Sequence, residues 1–247
     1  MSVAGASPQP PPGKKASARD QTLEILRHEI ISLELPPGAP LSENLLAAKL
    51  GVSRTPVRES LILLREEGLV QVFPQLGTFV SRVNAAEVAQ AQFIREAIEC
   101  ASLTDAVVVS GVAHISALRE VLERQRDADR RGDIEDFFGL DETFHRELLR
   151  SGGHEGAWTT VNSAKAHLDR ARRMSLVGAR PVATLIEQHT RVVDALEARD
   201  AGAATAALRE HLRAVFDDVE RIRAATPELF SDGAAEERPR RRVVQEW

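Results

Sequence analysis

The sequence predicts a mostly α fold in two parts, an N-terminal winged helix-turn-helix with a small β-hairpin wing and then an all-helical antiparallel bundle. Three observations predict it. Two short helical patterns meet at a glycine turn within residues 41–66, and a pair of β-rich runs follows within residues 69–80. From residue 85 to 224, apolar residues recur at helical spacing without strand signals, broken at Gly111, Gly132, Ser151-Gly152-Gly153, 177–181 and 200–202. Those breaks divide the second part into about six helices. The 247 residues thus divide into a disordered tail (1–16), the winged unit (17–82), the bundle (85–224) and a flexible tail (225–247).

Residues 1–16 are rich in Pro, Ser, Gly and Ala and offer too little large apolar surface to offset the entropy of ordering. Leu23, Leu26, Ile30 and Leu33 then mark a helix that Pro36-Pro37-Gly38 ends. Ser42 is an N-cap candidate for the next helix, whose stripe is Leu45, Leu46 and Leu50 and whose stop is Gly51. The helix after the turn starts at Ser53, tolerates Pro56 in its first turn and buries Val57, Leu61 and Leu64. A run over 69–73, a turn at 74–77 and a run over 78–80 form the wing.

Such a helix pair places the first residues of its second helix against base edges in the major groove of DNA. Here these are Arg54, Thr55 and Arg58, the two arginines one turn apart on one face, where a guanidinium can bond two guanine acceptors. Ser53 and Thr55 suit phosphate contacts at a helix start. The overall charge of −5 argues against general nucleic-acid affinity, and residues 17–82 hold 7 Lys/Arg against 8 Asp/Glu, so reading must come from a local basic face. No run approaches membrane-spanning length and no signal-peptide core is present. The one cysteine, Cys100, has no internal disulfide partner. A cytoplasmic protein, on the nucleoid when DNA-bound, is the expectation.

The stretch from Leu35-Pro-Pro-Gly38 through SRTPVRES to EEGLV and Gly77-Thr-Phe-Val80 resembles the winged-helix domain of the GntR family of bacterial regulators, in the FadR-type branch. The resemblance implies base or backbone contacts from Arg54 and Arg58, phosphate contacts from Ser53 and Thr55, and minor-groove entry of the wing around Gly77. Asn44 stands where many relatives carry an arginine that also touches DNA.

The bundle carries a second constellation. Ile134, Phe138, Asp141, His145 and Leu148 are spaced 4-3-4-3, so Asp141 and His145 fall in the core-facing seam. Val182, Ile186, His189, Val193 and Leu196 repeat the pattern, as do Ala204, Leu208, His211 and Val215. Burying these polar groups unpaired is costly, so they need partners. His189 lies 11 residues before Asp200 and His211 lies 11 after it, so a hairpin at Asp200 brings both to one level. Three histidines and a carboxylate suit a divalent transition ion such as Zn, Ni, Mn or Fe. Arg95 interrupts the stripe Val88, Ala91, Ile98, either as a carboxylate receptor or in a structural ion pair. Asn162 and Arg172 are further effector candidates, whereas His28, His114, His154 and His167 are expected at the surface or as caps.

Asp-Glu-Thr-Phe-His at 141–145, Gln188-His189 and His211-Leu212 resemble the metal-binding pattern of the FCD effector domain that often follows a GntR winged helix. This implies a small carboxylate effector bound beside the metal. It also implies a homodimer, placing two recognition helices on a pseudo-palindromic double-stranded operator, with repression the usual sign. Two other readings stay open. The ion itself can be the signal, or the donor set can be a metal-dependent hydrolase, against which Glu142 should point away from the seam that holds Asp141. The basic run Arg238-Pro-Arg-Arg-Arg242 is a solvated end or an added phosphate contact.

Overall fold

The computed structural model describes residues 17–178 and 181–231. The expected N-terminal tail and the basic run at 238–242 lie outside the described residues. Helix α1, Ala18–Ile31, begins in a reciprocal capping box of Ser17 and Asp20. Strand β1, Pro40–Leu41, precedes α2, Glu43–Leu50, which ends at Gly51 with φ 65°, a left-handed turn that costs glycine little. Helix α3, Arg54–Glu66, buries Val57, Leu61 and Leu64 against Leu26 and Ile30 of α1 and Leu46 and Ala47 of α2. Leu45, expected in that core, is instead 71% exposed, because only Leu46 and Leu50 keep the four-residue spacing of the inner face.

The wing is β2, Val70–Phe73, and β3, Gly77–Val80, antiparallel with Val70 opposite Val80 and Phe73 opposite Gly77. Strand β1 pairs with the other edge of β3, giving the order β1-β3-β2. A two-residue strand interrupted by no turn signal of its own is too short to read from periodicity.

The second domain comprises α4 (Ala85–Val109), α5 (Val112–Arg131), α6 (Ile134–Ser151), α7 (Trp158–Ala164), α8 (Ala166–Gly178), α9 (Val182–Glu197) and α10 (Ala201–Ala225). Its core joins Leu103, Leu118, Leu122, Phe144, Leu148, Val192, Leu196, Leu208 and Leu212. α4 and α6 approach so closely that a Cβ on Gly152 would sit 2.3 Å from the Ser102 carbonyl oxygen. About six helices were expected and seven are found among the described residues, because α7 and α8 part at Lys165. No Gly or Pro marks that break. It seats the buried Lys165 ammonium between Glu142 and Asp169.

The expected start of the C-terminal tail needs correction. The connector forms a further strand, β4 (Val83–Asn84), and residues 230–231 form β5, parallel to it. Residues 225–231 are therefore not a flexible tail: Phe230 is 4% exposed and packs with Val83, Val88, Leu168 and Val219. His167, expected at the surface, is also buried. Its Nδ1 accepts from the Asn84 backbone N–H at 3.2 Å and from Arg170 Nη2 at 2.9 Å. Arg170, fully buried, donates to the Ser81 and Arg82 carbonyls at 2.6 and 3.2 Å, so α8 clasps the interdomain connector. His28 and His154 are exposed, and His114 caps α5 by accepting from Gly111 N–H, as expected.

Candidate metal centre and nucleic-acid interface

The seam residues converge. Asp141 and His145 on α6, His189 on α9 and His211 on α10 each present a ligand atom, and these atoms lie within 4.8 Å of one another. None of the four residues is more than 5% exposed. His211 Nε2 is 3.2 Å from both His189 Nε2 and His145 Nε2, while Asp141 lies 3.6 Å from His189 and 3.9 Å from His145. Ligands about 2.0–2.1 Å from one zinc ion are roughly 3.0–3.4 Å apart, so these separations are near a coordination shell.

The outer nitrogens decide which atoms face inward. His145 Nδ1 donates to Glu99 Oε2 at 2.7 Å, His189 Nδ1 to Gln125 Oε1 at 2.9 Å, and His211 Nδ1 to Gln188 Oε1 at 2.9 Å. The Gln125 amide is itself oriented by Nε2 donation to the Leu140 carbonyl. With Nδ1 carrying the proton on all three rings, the three Nε2 lone pairs face one another. Such an arrangement is repulsive without a proton or a cation among them. Phe144 stacks on His189 at 4.1 Å between centroids and holds that ring in place.

Electrostatics favour the cation. Burial lowers His145, drives His189 down to about 3 and holds His211 well below its ordinary range, so the imidazoles stay neutral. Burial alone would raise Asp141, but the Arg172 guanidinium outweighs it and keeps it ionised. Glu99 likewise falls to about 2, burial being outweighed by Arg95 and His145. Arg172 donates to Asp141 Oδ2 at 2.5 Å. The other oxygen, Asp141 Oδ1, is buried with no hydrogen-bond partner among the described residues, which suits a ligand oxygen.

A cavity of about 30 Å³ adjoins the cluster, lined by Gln92, Arg95, Arg172, Ser175, His211 and Asp218 among others. Arg95 and Arg172 are thus brought to one cavity. Arg95 is also ion-paired, its Nε donating to Glu99 at 2.6 Å, which is the structural ion pair considered for it. Asn162 is not brought there. It is exposed on α7 and lines an outer groove with residues of α1, α6 and α8, because the break at Lys165 puts it on a different helix from Arg172. Glu142 points away from the cluster to Lys165.

At the other site, Ser53, Arg54, Thr55, Arg58, Asn44 and Gly77 are all exposed. Arg54, Thr55 and Arg58 share a shallow depression on α3 with Glu59 and Ile62. Sequence reasoning missed Glu43 on α2. Arg54 Nη2 donates to it at 3.0 Å, and Arg58 donates through Nε and Nη2 at 3.1 Å. Those hydrogen bonds, from Arg58 first, hold the Glu43 carboxylate below its ordinary range. It also missed Glu99 and Gln125, though both break apolar stripes: Glu99 falls one turn after Arg95, and Gln125 falls between Leu122 and Ala128.

Comparison with known proteins identifies both domains. Residues 18–80 match the family described as bacterial regulatory proteins, gntR family, and residues 90–214 match the FCD domain. The chain is 54% identical over 230 residues to an HTH-type transcriptional regulator in an unstable DNA locus of Streptomyces ambofaciens, covering 93% of this chain and 96% of that protein. It is 38% identical over 212 residues to the HTH-type transcriptional repressor RspR of Escherichia coli K12, covering 86% and 93%. A solved structure of a putative GntR regulator from Rhodococcus superposes with TM-score 0.70 at 25% identity, over 83% of this chain and 99% of that one.

Proposed function

As this chain belongs to the GntR family of bacterial regulatory proteins and is a DNA-binding transcriptional regulator rather than an enzyme, we propose that it is a repressor controlled by a small carboxylate. The carboxylate binds beside a divalent transition ion held by Asp141, His145, His189 and His211. The observation that carries this reading is the set of inward Nε2 atoms, each fixed by a buried outer acceptor, around the orphaned Asp141 oxygen. Bound there, the ion would supply Lewis acidity and, where it takes more than four ligands, would accept a ligand oxygen.

The chain's own charges call for an anion. Glu99 and Asp141 are already matched by Arg95 and Arg172, so a dication leaves the buried centre positive, and a carboxylate restores balance. Arg172, which donates to Asp141 Oδ2, also lines the cavity, where it would receive that carboxylate. A second reading, with the ion alone as signal, is favoured by the cavity's size, since about 30 Å³ holds only one or two waters.

The repressor acts as a homodimer on a pseudo-palindromic operator in the cytoplasm, with Arg54 and Arg58 reading bases. Supporting self-association, Phe93 is 69% exposed on α4 and shares a groove of about 720 Å³ with Ala97 and with Phe216 of α10. Among the described residues no helix is long and apolar enough to cross a membrane. The test is to select DNA fragments from total genomic DNA and measure their affinity by anisotropy with zinc alone and with zinc plus small carboxylates. Release by acid only when metal is present supports the proposal; release by zinc alone selects the second reading; indifference to both refutes each.

A further inference from the structure

A second hollow lies apart from the buried cluster, where α1 of the winged domain faces α6, α7 and α8 of the bundle. Its volume is about 690 Å³, and Ile31 and Phe138 give it some apolar wall. Its charges do not balance. Arg27 pairs with Glu24 and Glu67, Lys165 with Glu142 and Asp169, and Arg173 with Glu135, which sets five carboxylates against three Lys and Arg side chains.

An acidic lining alone calls for counter-ions and no particular molecule. Two atoms are more selective. Asp169 Oδ1 and Arg173 Nε are both buried with no hydrogen-bond partner among the described residues, and both side chains line the hollow. The two residues are four apart on α8, which puts their Cβ atoms about 5–6 Å from each other. They do not bond to one another, because Lys165 engages the carboxylate and Glu135 the guanidinium. A buried carboxylate oxygen and a buried guanidinium N–H left unpaired oppose folding, so their retention points to a ligand that brings a donor and an acceptor together.

Asp169 only accepts and Arg173 only donates. An ammonium and a carboxylate carried on one carbon answer both within a single helical turn. Such a zwitterion is neutral and leaves the excess acid of the lining unmatched, whereas a cationic side chain reaching to Glu24 and Glu67 matches part of it. We propose that this interdomain hollow binds a free α-amino acid with a cationic side chain. The ligand then touches both domains, and its recognition is independent of the metal cluster.

Analogues that each lack one charge test it. Full-length protein, kept in chelator so that no metal competes for the amino group, is titrated calorimetrically with lysine, arginine, norleucine and cadaverine. Norleucine lacks the side-chain ammonium and cadaverine lacks the carboxylate. Lysine is expected to bind about tenfold tighter than either, because a site built to bond a group rejects the analogue without it. Arg173→Met should erase the gap between lysine and cadaverine. Glu24→Gln, on an exposed side chain, should weaken lysine about threefold and leave norleucine unchanged.

No binding of lysine or arginine overturns the proposal. Cadaverine binding as tightly as lysine overturns the amino-acid class, and norleucine doing so overturns the cationic side chain. Lysine affinity unchanged in both Arg173→Met and Glu24→Gln places the ligand outside this hollow.

Discussion

The two sites are built from similar numbers of polar side chains and behave oppositely. In the bundle, the four clustered side chains are nearly excluded from water, and each is held by a further buried partner. On the winged domain, the Arg54 and Arg58 side chains are 59% and 60% exposed and share one carboxylate, Glu43. Exposed ion pairs contribute about 0–1 kcal/mol, so DNA phosphates and bases can displace Glu43 at small cost. Buried groups have no solvent to fall back on, and their geometry is set before any ligand arrives. The buried cluster is therefore preorganised by the fold, whereas the exposed arginines are free to rearrange. α8 joins the two, with Arg172 reaching Asp141 and Arg170 holding the connector carbonyls.

The largest expected effect is removal of the metal. A chelator should lower the unfolding free energy by about 3 kcal/mol where free ion had exceeded Kd a hundredfold. Differential scanning calorimetry reads this as a fall of several degrees in Tm, absent in His189→Ala. A comparable fall in His189→Ala would mean that chelation acts elsewhere. Next in size, Arg170→Met should destabilise by about 2 kcal/mol, since the Ser81 and Arg82 carbonyls lose a charged donor. Denaturant unfolding should then separate into two transitions, and a single unshifted transition would show that α8 does not couple the domains.

Acidification sharpens the contrast further. Burial first, and then Arg170, push His167 down to about 3. Below the unfolded value of about 6.5 the unfolded chain takes up a proton that the native chain refuses, so stability falls as pH drops from there toward 3. The slope is about 1.4 kcal/mol per pH unit for one such group, with the three cluster imidazoles adding in the same direction. His167→Gln should reduce the slope measured by urea unfolding between pH 7 and 5; an unchanged slope counts against a neutral buried His167. Smallest of all, Glu43→Ala should change stability by less than about 0.5 kcal/mol. It should modestly tighten DNA binding by freeing both arginines, which anisotropy at two salt concentrations would register; weakened binding would make Glu43 an organiser of the arginines rather than a competitor.

Much of this was legible in the sequence because it obeys period and punctuation. Ser42, Gly51 and the Val57-Leu61-Leu64 stripe mark the helix pair without help from distant residues. The convergence of the cluster was legible because His145, His189 and His211 interrupt seams of regular spacing, and because Asp200 caps α10 where the hairpin required a turn. What escaped depends on residues far apart in the chain. Glu43 and Arg58 meet only once α2 and α3 cross, and Arg170 meets Ser81 across 89 residues. Lys165 breaks a helix through its carboxylate partners rather than through backbone preference, and that displaced Asn162 from the site assigned to it. Phe230 closes a two-residue bridge that no periodic signal announces.

The most direct measurement is a calorimetric titration of chelator-stripped protein with zinc at neutral pH, alongside His211→Ala shown by circular dichroism to be folded. One ion per chain, with binding lost in the variant, is the predicted result. No saturable binding, or binding undiminished in His211→Ala, would show that the four buried side chains are core packing and that ligand control resides elsewhere.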